Sequence, residues 1–468
     1  MKALSDVTGS QNIFPPEVLC EIFWHLDSHG LLAAKLTCRS FYDATRSRQF
    51  WYRFIGSFEL MRGGSKIDRP LERFTVLDLE RWVIRRLRAY ESWFLDSPLS
   101  FRVRQFQYSP KAGIYQAELL PGGRWLLTTT PCGQFFAYDL DAPGIEPQPL
   151  FGFGEYCDEE EMHENLTSFS IWVDSSREIL SFRAVICGWW GPVAEGHLNK
   201  TQIYEATLEG DGQKFRSTGT PLYTSWTHGD DKSSVAISDK YLAEVWTVEN
   251  GMGGFRPVLL VCQYDMAGEV RSSQLEARVE LVTTEILYHI HIIDDCIVVA
   301  GYTFIEVYTI SQIQNLGKQQ KLSPLHRLQF SLTSHIRRLV QPFSYQGFLW
   351  MIFVTHREDI RVMRLALTTS DCPLEVTLGC DSPDWDRLAR PTYFNQTVTV
   401  SLHYQTIHVL AYSWDKDLTE RHFHVNHYQL PERDHRWGHP SIVGADATTG
   451  RIVLLCRSQK LYVILDTE

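Results

Sequence analysis

Cysteine is sparse and unpatterned in this chain. Ten occur in 468 residues, none in a Cys-x-x-Cys pair, which removes zinc-ribbon spacing and a thioredoxin-like redox motif. A disulfide framework belongs to short secreted chains, and the opening MKALSDVTGSQN lacks the apolar core of a signal peptide. The expectation is reduced thiols in the cytoplasm or nucleus, with the Asn-x-Thr sequons at Asn165, Asn199 and Asn395 as chance matches. No run of about eighteen apolar residues occurs, so no membrane-spanning helix is expected. Long basic stretches are missing too. With 45 Lys and Arg against 56 Asp and Glu, and a formal net charge of −11, nucleic acid is not expected as the principal partner. The most basic stretch, RWVIRRLRAY from Arg81, reads as the solvated face of a helix. Gly-x-Ser-x-Gly and His-Glu-x-x-His are absent, and the glycines of PGGRW and NGMGGF fall between strands, where no phosphate loop forms.

What is present changes character along the chain. Near the start, IFPPEVLCEIFWHL sets Pro15 and Pro16 at a helix entry, where a missing N–H costs nothing. Glu17 falls in the first turn, facing the positive end of the helix dipole. Val18, Ile22 and Leu26 follow at steps of four, flanked by Leu19 and Phe23, which predicts one broad apolar face. After the break DSHG, Leu31, Leu32, Leu36 and Phe41 resume helical spacing, and Trp51 closes the segment. About forty residues are near the lower limit for a domain that folds alone. These helices must lean on something, either the rest of the chain or a second protein.

The order Phe14, Pro15, Glu17, Val18, Ile22, Phe23, Leu26, then Leu31 and Leu32, then Cys38, Arg39 and Phe41, and finally Trp51, resembles an F-box. Phe14 stands where that family has Leu. Gly30 stands where it has a polar helix cap, a role glycine can fill. The resemblance implies a Skp-type adaptor as partner and, through it, a cullin–RING ubiquitin ligase. Carried over residue by residue, the adaptor-binding set is Phe14, Pro15, Glu17, Val18, Leu19, Ile22, Phe23, Leu26, Leu31, Leu32, Cys38 and Trp51. The adaptor is expected to supply the layer that the apolar helix lacks.

Val76, Leu79, Val83, Leu87, Tyr90 and Phe94 recur at three and four, predicting a stiff helix of roughly twenty residues that ends before Pro98. Beyond Pro110 the period becomes alternating, and a phrase of strand, polar turn, strand, turn and strand recurs seven times at intervals of about fifty residues. Such a series predicts a β-propeller: blades arranged in a ring bury one another's faces. The seventh copy stops at its third strand, LYVILDTE, so SFRVRQFQY from Ser100 is expected to complete it. The fold expectation is thus mixed and multidomain. Residues 1–12 are a disordered start, 13–58 an F-box, 59–98 a linker helix region, and 99–468 an all-β propeller of seven blades. The layout resembles fungal F-box families with divergent propellers.

Three remaining features are weighed the same way. His422, His424, His427, His435 and His439 crowd one segment, but no cysteine or paired carboxylate joins them at ligand spacing. They read as an exposed inter-blade loop, with no metal and no cofactor implied. The acidic run CDEEEMHE from Cys157 to Glu164 reads as a solvated loop. Trp189 and Trp190, in CGWWGP, read as part of a long insertion that could anchor a protein client. The functional expectation is a non-catalytic substrate receptor. The alternatives are a scaffold without a degradation role, or a propeller that binds a small molecule or metal.

Overall fold

Proline supplies the first helix with its start. In the computed structural model, Pro15 is the N-cap of α1 (Pro16–Trp24), Pro16 occupies its first turn, and Glu17 lies in that turn. The structure describes residues 14–61, 67 and 69–94, and from 100 to 467 the strands with most of their connections; the longest spans left outside are 153–164, 265–276, 379–392, 413–422 and 431–439.

Three further helices complete the N-terminal unit: α2 (Ser28–Thr37), α3 (Arg39–Ala44) and α4 (Arg48–Met61). The cap of α2 is a correction. Asp27, not Gly30, is the N-cap, and its Oδ1 accepts the Gly30 N–H at 2.6 Å. Glycine suits the third helical position, since a Cβ there would sit 2.8 Å from Asp27 Oδ1. The helix expected to run on to Phe41 breaks at Cys38, which is extended (φ −156°, ψ 166°). Helix α4 passes through the expected boundary at 58.

The stiff helix forms as α5 (Val76–Ser92), shorter than expected. A reciprocal capping box starts it: the Asp78 N–H donates to Thr75 Oγ1 at 3.2 Å, and the Thr75 N–H donates to Asp78 Oδ2 at 3.0 Å. One flank of α5 holds α2 through Lys35 Nζ on Glu80 (2.5 Å) and through the Ser28 N–H on Glu91 Oε1 (2.9 Å).

Seven antiparallel sheets follow among the described residues, each of four or five strands. Blade 1 runs Gln116–Leu119, Trp125–Thr129, Phe135–Asp139, Pro147–Phe151. Blade 2 runs Asn165–Val173, Ser181–Trp190, Leu198–Leu208, with its outer position shared by Phe215–Ser217 and Tyr223–His228. Blades 3 to 6 start at Lys232, Leu287, Ile336 and Tyr393. Blade 7 runs Ser441–Asp446, Arg451–Cys456, Leu461–Thr467. Its fourth strand is Phe101–Gln107, paired residue for residue with Leu461–Thr467. The expected closure holds, and the last blade is finished from the N-terminal side of the ring. First strands of successive sheets touch one another, as blade 1 does with 7, 2 with 3, 3 with 4, and 6 with 7. They therefore surround the axis.

Alternation, the signal that suggested strands, fails in the second strands. WLLTT, CIVVAG and RIVLLC are buried at every position, because blades on both sides cover them. A buried or half-buried cation–carboxylate pair recurs instead, joining the second strand, or the residue just before it, to the third strand: Arg124–Asp139 (2.6 Å), Arg183–Glu205 (3.1 Å) and Arg451–Asp466 (2.6 Å) in blades 1, 2 and 7. All three lie at one mouth of the ring.

That mouth carries the helices. Trp93, fully buried, donates its Nε1–H to the Ala447 carbonyl (3.0 Å) in the first turn of blade 7 and meets Phe101 edge-on at 6.3 Å. On blade 2, the Leu71 N–H donates to Glu178 Oε1 (2.6 Å) and Arg73 Nη1 to the Gly210 carbonyl (2.7 Å). The linker helix and its approach are thus clamped at two points. The opposite mouth, formed by second-to-third turns and inter-blade connections, has no such cover among the described residues.

Candidate docking surface on the N-terminal helices

Helix α1 divides its apolar residues between two faces. Leu19 and Phe23 are buried, while Val18 is 41% and Ile22 45% exposed. Phe14 (46%) extends the outer face ahead of the helix. The single broad face read from the sequence is therefore two adjacent strips. One is satisfied within the chain and the other is left to solvent.

The inner strip is packed with aromatic rings. Phe23 meets Phe41 edge-on at 5.2 Å and Phe50 at 6.3 Å. Leu31 and Trp51 are each 2% exposed, and the Trp51 Nε1–H donates to the Thr45 carbonyl at 2.8 Å. Leu19, Phe23, Leu31 and Trp51 were expected to touch the adaptor. They lie buried in the core that holds the outer strip in place. Leu26 and Leu32 are half-buried at the margin. Pro15, Glu17 and Cys38 are exposed.

Two apolar residues outside the expected set are also exposed on the helical unit. Leu36, 85% exposed, is the most exposed large apolar side chain described, and Tyr42 is 42% exposed between Lys35 (5.5 Å) and Arg46 (5.8 Å). Leu36 was visible in sequence as part of the helical stripe, but only packing distinguishes a stripe position that is covered from one that is not. Several exposed apolar groups on one small unit exceed the scattered surface hydrophobics of a monomer.

Polar groups frame the strip. Arg53 pairs with Glu21 and lies over the Trp24 ring at 4.5 Å. The hydrogen bond from Arg53 holds the Glu21 carboxyl below its ordinary range. Burial raises the Cys20 thiol, and Glu17 and Glu21 add to the effect, so this sulfur is an inert part of the packing.

Trp189 and Trp190 are not in an insertion. They end the second strand of blade 2, with Trp189 paired to Asn165 and Asn199 on the flanking strands. That end of the strand points to the uncovered mouth. The acidic run 157–164 lies outside the described residues, as do His422, His435 and His439. His424 and His427 fall on the outer strand of blade 6, Phe423–Gln429. Among the described residues no three His, Cys, Asp or Glu side chains gather as metal ligands, and no helix is long and apolar enough to cross a membrane.

The F-box-like family model matches residues 13–56. No curated protein matches the chain. Among solved structures, the β-propeller domain of Cps50 (Swd1) from Myceliophteria thermophila aligns with 78% of this chain and 100% of its own, at 12% identity and a TM-score of 0.46. The chain thus carries an F-box-like domain at residues 13–56, followed by a seven-bladed β-propeller.

Proposed function

We propose that this chain is the substrate-recognition subunit of an SCF-type ubiquitin ligase, acting in the cytoplasm or nucleus. The F-box-like unit binds a Skp-type adaptor, which links it to a cullin–RING ligase, and the propeller holds a protein client. The observation that carries this reading is the outer strip of α1. Phe14, Val18 and Ile22 stay exposed on a unit whose core is otherwise complete, and the residues that carry the F-box resemblance form both strips.

The chain forms no bonds in this scheme. It raises the local concentration of a client lysine near a charged conjugating enzyme, which is catalysis by proximity. Proximity works only if client and adaptor keep a fixed relation. The two-point clamp of α5 and its approach on blades 7 and 2 supports that requirement. Client contact is assigned to the mouth opposite the helices, where loops stand on a rigid scaffold.

The test is affinity purification of the full chain and of a Pro15→Ala/Ile22→Asp variant. Recovery of adaptor and cullin with the wild type, their loss with the variant, and accumulation of trapped clients on the variant are expected. Adaptor without cullin would favour a scaffold and overturn the ligase reading.

A further inference from the structure

Lysine and arginine side chains of the N-terminal helices are matched to partners, with one group of exceptions. Lys35 holds Glu80, Arg39 reaches Asp43, Arg53 pairs with Glu21, and Arg69 reaches Asp78. Arg46 lies over Tyr42, Arg48 donates to the Leu71 and Phe74 carbonyls, and Arg73 donates to the Gly210 carbonyl. Arg86 turns inward and lies over the Trp82 ring at 3.6 Å. Arg81, Arg85 and Arg88 remain, all exposed on α5. None of these three has a hydrogen bond or ion pair with any described residue.

Helical geometry puts them in line. At 3.6 residues per turn, Leu77, Arg81, Arg85 and Arg88 fall within about 80° of arc and along about 16 Å of axis. Leu77, 49% exposed, heads the stripe. On the inner side of α5, Leu79, Val83 and Leu87 are buried in the helical core. The carboxylates within reach are committed elsewhere. Asp78, near Arg81, is tied to Thr75 and Arg69. Glu80 holds Lys35, and Glu91 takes the Ser28 N–H. Asp141 of blade 1, near Arg85, is bonded to Arg451 at 2.8 Å. Like charges three and four residues apart oppose a helix, and nothing described on this chain offsets them. On a chain of net charge −11, the stripe is a local field of the other sign, able to orient an anionic partner.

Its make-up selects the anion. Single-stranded nucleic acid is held by stacking on aromatic platforms, and the stripe has none. One apolar side chain is too little to enter a bilayer. The spacing of four, four and three is a helix ridge, and such a ridge packs along a second helix. A leucine followed by guanidinium groups on the next three turns is complemented by an apolar residue and a row of carboxylates.

We propose that Leu77, Arg81, Arg85 and Arg88 dock an acidic amphipathic helix of a partner protein along the outer side of α5. Because α5 and its approach are clamped on blades 7 and 2, the docked helix keeps a fixed relation to the ring. The proposal stands apart from the ligase reading.

The experiment uses the full chain, copurified with a Skp-type adaptor, and fluorescent alanine-rich peptides of about twenty residues. The matched peptide carries one leucine and three glutamates on one face at the spacing of the stripe, made in both chain directions. A control of the same composition spreads the glutamates around the helix. By anisotropy, the matched peptide should bind at least about tenfold more tightly than the control. The gap should narrow as salt rises from about 0.05 M to about 0.5 M. Arg81→Glu/Arg85→Glu/Arg88→Glu should lose the matched peptide and select its lysine counterpart. Arg81→Gln/Arg85→Gln/Arg88→Gln should select neither, and a melting temperature equal to wild type shows that the loss is not unfolding. Equal binding of matched and control peptides, no binding, or the same selection by the glutamine variant would overturn the proposal. So would tighter binding of oligouridine or of phosphatidylserine vesicles than of the matched peptide. Adaptor retention by the wild type, read in the same samples, tests the ligase reading separately. Loss of adaptor from the folded glutamine variant would give the stripe to the adaptor and overturn the proposal.

Discussion

The indole N–H of Trp93 donates to the carbonyl of Ala447 at 3.0 Å, across 354 residues of sequence. One end of the chain's stiff helix is thereby seated in the turn of the last blade. Eight residues beyond Trp93, the strand that closes that blade begins at Phe101. Ring closure and helix placement are one arrangement, since the same stretch of chain makes both.

Replacing Trp93 with Ala should cost about 3–5 kcal/mol, the range for emptying a buried tryptophan site. It should also release α5 from blade 7. Chemical denaturation reads the first effect and small-angle scattering the second, as a larger radius of gyration. A variant with unchanged scattering would show that the contacts of Leu71 and Arg73 on blade 2 hold the helices unaided.

Ile22 and Phe23 are neighbours with opposite roles. Ile22→Asp adds a charge to a side chain that is already 45% exposed, so stability should change by less than about 0.5 kcal/mol while adaptor binding falls at least tenfold. Phe23→Ala opens a cavity in the helical core and should cost about 3–5 kcal/mol. Circular dichroism melts and adaptor titration by calorimetry separate the two. Equal destabilisation would contradict the two-strip description of α1.

Arg451 is 1% exposed and ties three segments together through Asp466 (2.6 Å), Asp141 (2.8 Å) and the Gly123 carbonyl (2.6 Å). Arg451→Met keeps the volume but strands these acceptors, at a cost of about 3–5 kcal/mol. The shift in urea midpoint of the propeller transition measures it. Arg104, which also bonds Asp466 (2.6 Å), sets the lower bound of the loss.

Glu118→Gln gives a pH-dependent gain. The folded-state carboxyl stands near 7, above its ordinary value of 4.5, so the native state holds its proton longer than the unfolded chain does. Stability is therefore lost as pH rises from about 4.5 through about 7. The isosteric amide has no proton to lose. Melting temperatures of variant and wild type should agree near pH 4 and diverge in favour of the variant by pH 8.

Asp27→Ala should cost about 1 kcal/mol, the usual value of a lost helix cap, because its Oδ1 takes the Gly30 N–H. The melting temperature of the full chain reports it.

Much of this was legible in linear order. The prolines before Val18, the three-four spacing through Leu87 and the sevenfold strand phrase each rest on interactions within a few residues, where spacing dictates geometry. The missing outer strand of blade 7 was legible by counting, because an open ring exposes an unpaired edge. The Arg–carboxylate pairs of blades 1, 2 and 7 were not. GRWLL and GRIVLL look alike only once Asp139 and Asp466 are seen to return beside them.

The residue pattern by itself determined that this protein has a small helical unit, a stiff connecting helix and a ring of small sheets. Local hydrogen bonding and alternation of apolar groups suffice for each. Only the tertiary structure decided which side of α1 is spent on its own core and which mouth of the ring the helices cover. Those outcomes depend on what packs against a residue from hundreds of positions away, and a side chain's neighbours along the chain carry no record of it.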